Sequence, residues 1–197
     1  MNEKKIDDIF LKSVPLSLDF YYSEVKNKIV HEDGDSGVLV IIFFPTPKTP
    51  KIIFTKRSSK LRNHAGEISF PGGRFCKKDK SLIVTAIRET YEEIGLKIHE
   101  ENIIGCLTPT NTYTTKILIY PFVVVLSKPI PHLNPNEEVE EILEISLEEL
   151  EMSMDIDKEH TTGNYEMFKF VIGDYIIWGA TGRILKDLID IINQVHL

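Results

Sequence analysis

The sequence predicts an α+β fold, because strand-like and helix-like segments interleave without the regular βαβ alternation of a doubly wound sheet. Two observations carry this reading. Short apolar runs rich in β-branched residues, such as 38–44, are bounded by Pro, Gly or charged turns. Segments 81–94 and 183–195 instead repeat apolar residues at helical spacing. The 197 residues, 42% apolar and 27% charged, suit one domain with a core of its own.

In order along the chain, residues 3–30 predict two short helices around Pro15, so that 1–35 form a helical extension packed on a domain of residues 36–197. Val38 to Phe44 predicts a buried strand, broken by Pro45, Pro47 and Pro50, with Lys51 to Lys56 as its hairpin partner. A loop-like stretch ends in Phe70, Pro71, Gly72 and Gly73. Ser81 to Ile94 predicts a helix closed by Gly95. Ile103 to Leu107, Ile117 to Leu126 and residues 140–145 read as further strands. Ser146, with Glu149 three residues on, starts a short helix. Tyr165 to Val171 and Tyr175 to Trp178 suggest a last hairpin around Gly173 and Asp174. Ile184, Leu185, Leu188, Ile191 and Ile192 form the stripe of a closing packed helix.

Composition narrows the function. No apolar run approaches the roughly 20 residues of a membrane span, and the first residues carry acids where a signal peptide needs a basic flank. We therefore expect a cytoplasmic protein, monomer or homodimer, with no membrane partner. Cys76 and Cys106 make neither a metal motif nor a disulfide framework and read as reduced thiols. The net charge of −7 argues against a broad nucleic-acid surface. A phosphate ligand would then need local Arg or Lys, or a divalent cation.

Arg88 to Leu96 is the most informative segment. At about 100° per residue, Glu92 and Glu93 lie about 60° and 40° from Glu89 around a helix, so three carboxylates share one face. Like charges so placed repel. Mg²⁺ or Mn²⁺, which prefer carboxylate oxygen and bridge to phosphates, would relieve them. A solvated acidic face would show the same pattern, and the triplet alone leaves both readings open.

Arg88, Glu89, Glu92, Glu93, Gly95 and Leu96 resemble the second half of the Nudix box, G-x5-E-x7-R-E-U-x-E-E-x-G-U, where U is a bulky aliphatic residue. The first half departs: the expected Glu position holds Lys80, beside Asp79, the count from Gly73 is one residue long, and Thr90 replaces the first U. Upstream, Thr55, Arg57, Ser58, Arg62, Gly66 and Phe70 to Gly73 resemble the motif L-L-T-x-R-[SA]-x3-R-x3-G-x3-F-P-G-G of coenzyme A pyrophosphatases, with Ile53 and Phe54 in place of its leading Leu-Leu. That subfamily shares the one-residue offset. The likeness runs over about residues 36–190 and is most specific between 54 and 96.

The resemblance implies the Nudix fold, a mixed β-sheet between helices with a loop–helix–loop box. It implies hydrolysis of coenzyme A or a derivative, a small nucleotide substrate, to 3′,5′-ADP and a 4′-phosphopantetheine product. Mg²⁺ or Mn²⁺ would be held by Glu89, Glu92 and Glu93, with Glu67 as a further ligand. Arg88 would orient the box, and Asp79 could take over its missing Glu partner. Arg57, Arg62, Gly72 and Gly73 would bind substrate. Glu138, ahead of Glu140, is the candidate general base, in an acid-rich run that also suits a solvated face. The alternatives are a Nudix pyrophosphatase for ADP-ribose, a dinucleotide or a nucleoside triphosphate, and a non-catalytic nucleotide-binding module.

Overall fold

An uninterrupted apolar strand needs cover on both faces, and the chain supplies it. The computed structural model describes residues 34–46, 49–112, 115–126, 130–161 and 166–195, so the helices expected within 3–30 lie outside the described residues. The chain runs β1 (Ser36–Phe43), β2 (Lys51–Arg57), β3 (Ile68–Ser69), β4 (Gly72–Arg74), α1 (Leu82–Ile94), β5 (Ile103–Cys106) and β6 (Thr110–Asn111). It continues through β7 (Leu118–Leu126), β8 (Val139–Ser146), α2 (Leu147–Ser153), β9 (Met154–Ile156), β10 (Phe168–Ile172), β11 (Tyr175–Ile177) and α3 (Gly179–Val195).

β1 lies parallel to β7 over its whole length, from Ser36↔Ile119 to Phe43↔Leu126. Its side chains alternate between two cores. Leu39, Ile41 and Phe43 join Leu82, Ile83 and Ala86 of α1. Val40 and Ile42 face the opposite layer, with Leu150 of α2 and Ile184, Leu185 and Leu188 of α3. Each fully buried Leu, Ile, Val or Phe side chain among them contributes about 1.5–3 kcal/mol of transfer free energy. The result is the α+β sandwich that the sequence predicts. No helix among the described residues is long and apolar enough to cross a membrane.

The expected hairpin of β1 and β2 is only partly made. The two strands pair at Ile42↔Ile52 and Phe43↔Lys51 and then diverge, while β2 takes β8 as its long antiparallel partner. The segment read as loop fills the wedge. β3 adds to β2 at Thr55↔Ser69 and Lys56↔Ile68, and β4 adds to β1 at Val38↔Gly72, Gly37↔Gly73 and Ser36↔Arg74. The wedge therefore threads the Gly72-Gly73 turn into the middle of the sheet.

Helix ends follow their capping chemistry. The Ser81 hydroxyl accepts from the Val84 N–H, and Gly95 closes α1 at φ 72°. The Ser146 side chain caps α2 by accepting from the Glu149 N–H. α3 begins at Gly179, ahead of the expected Arg183, and buries Ile189 where the stripe had placed Ile191, which is only partly covered. β9, β10 and β11 make a separate three-stranded sheet, with Gly173 turning the β10–β11 hairpin at φ 57°.

Candidate active site

α1 carries Arg88, Glu89, Glu92 and Glu93, and their environments differ. Arg88 is the hub. Its Nε and Nη2 donate to the two oxygens of Asp79 at 3.0 and 2.9 Å. The same guanidinium reaches Glu89 and Glu92, each at 2.9 Å. Asp79 is 8% exposed and also accepts from the Thr85 hydroxyl. The Arg88 guanidinium holds the Asp79 carboxyl below its ordinary range against the opposing cost of burial. Asp79 thus partners the box arginine at the position beside Lys80, which is exposed.

Glu93 turns the other way. It is 7% exposed and accepts from the Gly72 N–H at 3.1 Å. Burial pushes its carboxyl up to about 7, although the Gly72 N–H and the Arg57 guanidinium pull it down, and the charges of Glu89 and Glu138 add to the rise. Glu89 is raised as well, chiefly by burial, with Arg88 opposing. Glu92 is the exposed member. The three carboxylates do not converge on one point here: Arg88 holds two of them and Gly72 the third.

The wedge explains both glycines from the chain itself. A Cβ on Gly72, at φ 145°, would lie 2.3 Å from the Gly37 carbonyl oxygen. A Cβ on Gly73 would lie 2.6 Å from Cδ of Glu89. The turn must be bare for β4 to enter beside β1 and for Glu89 to lie against it.

A second loop closes the end of α1. The N–H groups of Asn134 and Asn136 donate to the carbonyls of Ile94 and Glu93, both at 2.9 Å, and the Ser58 N–H donates to the Glu138 carbonyl at 2.8 Å. These staples bring Glu138 within electrostatic reach of Glu93. Glu140 is engaged elsewhere, by Lys56 Nζ at 2.7 Å and the Ser59 N–H at 3.1 Å. The Arg57 charge also acts on Glu93, and its Nε is buried without a hydrogen-bond partner among the described residues. Arg62 is exposed on the loop between β2 and β3. Glu67 is tied within that loop to His64 Nδ1 at 2.9 Å, and no contact joins it to the α1 carboxylates among the described residues. Asn134 escaped the sequence reading, and Asn136 entered it only as the start of the weakly resembling stretch Asn136 to Glu140, not as a residue that closes the helix. Their local signal is the turn-forming Asn134-Pro135-Asn136.

The donor set suits a hard divalent cation. Glu89, Glu92 and Glu93 offer oxygen only, and an ion beside Glu93 would favour the ionised form that burial disfavours.

Comparison with known families matches residues 35–169 to the NUDIX domain. A protein from Pectobacterium atrosepticum named uncharacterized Nudix hydrolase NudL is 33% identical over 164 residues, covering 81% of this chain and 83% of that one. Its namesake from Photorhabdus laumondii is 34% identical over 160 residues, covering 79% and 84%. Among solved structures, a MutT/nudix family protein from Enterococcus faecalis aligns with a TM-score of 0.58 at 12% identity, covering 98% of this chain and 75% of that one. The NUDIX domain of Shewanella oneidensis NrtR, solved with ADP ribose, aligns with a TM-score of 0.51 at 13% identity, covering 90% and 97%. At those identities the structural likeness speaks for the fold. The chain belongs to the Nudix hydrolase family.

Proposed function

We propose that this Nudix hydrolase cleaves the diphosphate linkage of coenzyme A or a derivative, releasing 3′,5′-ADP and 4′-phosphopantetheine or its acyl form. The observation that carries the reading is Arg57. It belongs to the segment that resembles the coenzyme A pyrophosphatase motif, its charge acts on Glu93, and its buried Nε has no partner among the described residues.

Glu89, Glu92 and Glu93 are the residues that would hold Mg²⁺ or Mn²⁺. When bound, such an ion neutralises diphosphate charge and acidifies water. Arg57 offers its guanidinium to the diphosphate oxygens, while Arg62 meets substrate farther out on the loop. Glu138, exposed beside the end of α1 and close enough to Glu93 for their charges to interact, takes the proton of the attacking water. Asp79 fixes Arg88, and Arg88 fixes Glu89 and Glu92.

The test is chromatography of products from coenzyme A, ADP-ribose and a dinucleotide, with Mg²⁺, Mn²⁺ or EDTA. We expect 3′,5′-ADP from coenzyme A and its loss in EDTA. Cleavage of ADP-ribose or the dinucleotide in preference to coenzyme A would overturn the substrate, and binding without cleavage under any metal would overturn the catalysis. Arg57→Ala should raise KM by roughly tenfold or more while kcat changes little, as loss of one charged contact permits. A collapse of kcat alone would move Arg57 to the transition state.

A further inference from the structure

Residues 74–80 run against the charge of the molecule. The chain as a whole carries −7, yet Arg74, Lys77, Lys78 and Lys80 crowd into seven positions, and all four are exposed. The one acid among them, Asp79, is buried and bonded to Arg88 and Thr85. The outward charge of this loop is therefore wholly positive.

Its position gives that charge a use. Lys78 and Lys80 flank Asp79, Asp79 bonds to Arg88, and the same guanidinium touches Glu89 and Glu92. Asp79 and the Arg88 guanidinium thus link the cationic loop to the carboxylates by consecutive hydrogen bonds. The carboxylates do not need these lysines, because Arg88 already answers them. Neither Lys78 nor Lys80 forms an ion pair among the described residues. Gathered like charges repel one another, and together they make a local positive field that draws an anion.

We propose that Lys78 and Lys80 recognise a phosphate monoester carried by the substrate outside its scissile diphosphate, which in coenzyme A is the 3′-phosphate of the ribose. The inference rests on the coenzyme A reading and deepens it. Arg57 handles the linkage that breaks, and the 74–80 loop selects substrates by a phosphate that stays intact. A dianionic monoester next to exposed lysines is also sensitive to salt, so the selectivity weakens as ionic strength rises.

The experiment compares kcat/KM for coenzyme A and for dephospho-coenzyme A, which keeps the diphosphate and lacks the 3′-phosphate. It uses the full chain, wild type and the double variants Lys78→Ala/Lys80→Ala and Lys78→Arg/Lys80→Arg. The wild type should prefer coenzyme A. The alanine pair should lose roughly tenfold on coenzyme A through KM, as two exposed ion contacts permit, with dephospho-coenzyme A unchanged. The arginine pair should keep the preference. A wild type that cleaves both compounds with a selectivity the alanine pair leaves intact, or an equal loss on both, overturns this inference alone. A wild type that cleaves neither overturns the coenzyme A reading and this inference with it.

Discussion

Glu93 and Asp79 are both buried carboxylates, and they respond to pH in opposite senses. The folded protein raises Glu93 to about 7, mainly through burial, above the ordinary carboxylate range. Its contribution to stability is complete below the unfolded value and is lost as pH rises through about 7. Asp79 is lowered, with Arg88 as the leading cause, so its contribution is present above the unfolded value and lost as pH falls through the folded one. In EDTA, the wild type should therefore lose about 3 kcal/mol relative to Glu93→Gln between about pH 5 and about pH 8. Urea unfolding of both proteins at the two pH values reads this directly, and parallel curves would refute the burial argument. Helical spacing was enough to put Glu89, Glu92 and Glu93 on one face. It could not say that Glu93 is buried and Glu92 exposed, because that depends on where the sheet lies against α1. Asp79 was legible as a neighbour of the expected Glu, whereas its bidentate grip on Arg88 needed the 74–80 loop in place.

The elements that set the site are the wedge strands and α1. β3 and β4 were unreadable in sequence, since two or three residues around Pro71 and Gly72 offer no periodicity. They exist because β1 and β2 diverge, a long-range event fixed by the β1–β7 and β2–β8 pairings. This gives the two glycines different fates. Gly72→Ala drives a Cβ into the β1 backbone at a φ that L-residues avoid, and it should cost more than about 2 kcal/mol in urea unfolding. Gly73→Ala meets only the flexible end of Glu89, so thermal stability should hold while kcat falls as Glu89 is displaced. Equal destabilisation by both would contradict the wedge. α1 was legible at both ends because its caps, Ser81 and Gly95, are local chemistry. Its departure from the box at Thr90 has a cost. The Thr90 hydroxyl is fully buried without a hydrogen-bond partner among the described residues. Thr90→Val, of the same shape, should stabilise the protein by about 1 kcal/mol. A lower melting temperature for that variant would mean the hydroxyl is satisfied.

At the scale of the whole molecule, the α+β class was readable because the buried runs and the helical stripes are strong local signals. The pairing was not. A continuous apolar run tells that a strand is covered on both faces but not which strand lies beside it, and β1 proved to take β7 in parallel as its full-length neighbour. The 134–138 loop is distant in sequence from the box, so only folding reveals that Asn134 and Asn136 close the end of α1 and that the Glu138 charge reaches Glu93. The charge of the chain bears on the proposed function too. An acidic molecule that is to hold an anionic substrate needs local positive charge, and Arg57, whose charge reaches Glu93, and the exposed Arg74, Lys77, Lys78 and Lys80 are its candidates. The proposed hydrolysis rests on the α1 carboxylates acting with a divalent cation. Its test is turnover of coenzyme A at saturating Mg²⁺, compared between wild type and the singly substituted Glu92→Gln and Glu93→Gln proteins. Each variant should keep its fold by circular dichroism and lose activity by roughly two orders of magnitude or more, and near-normal turnover in either would contradict the assignment.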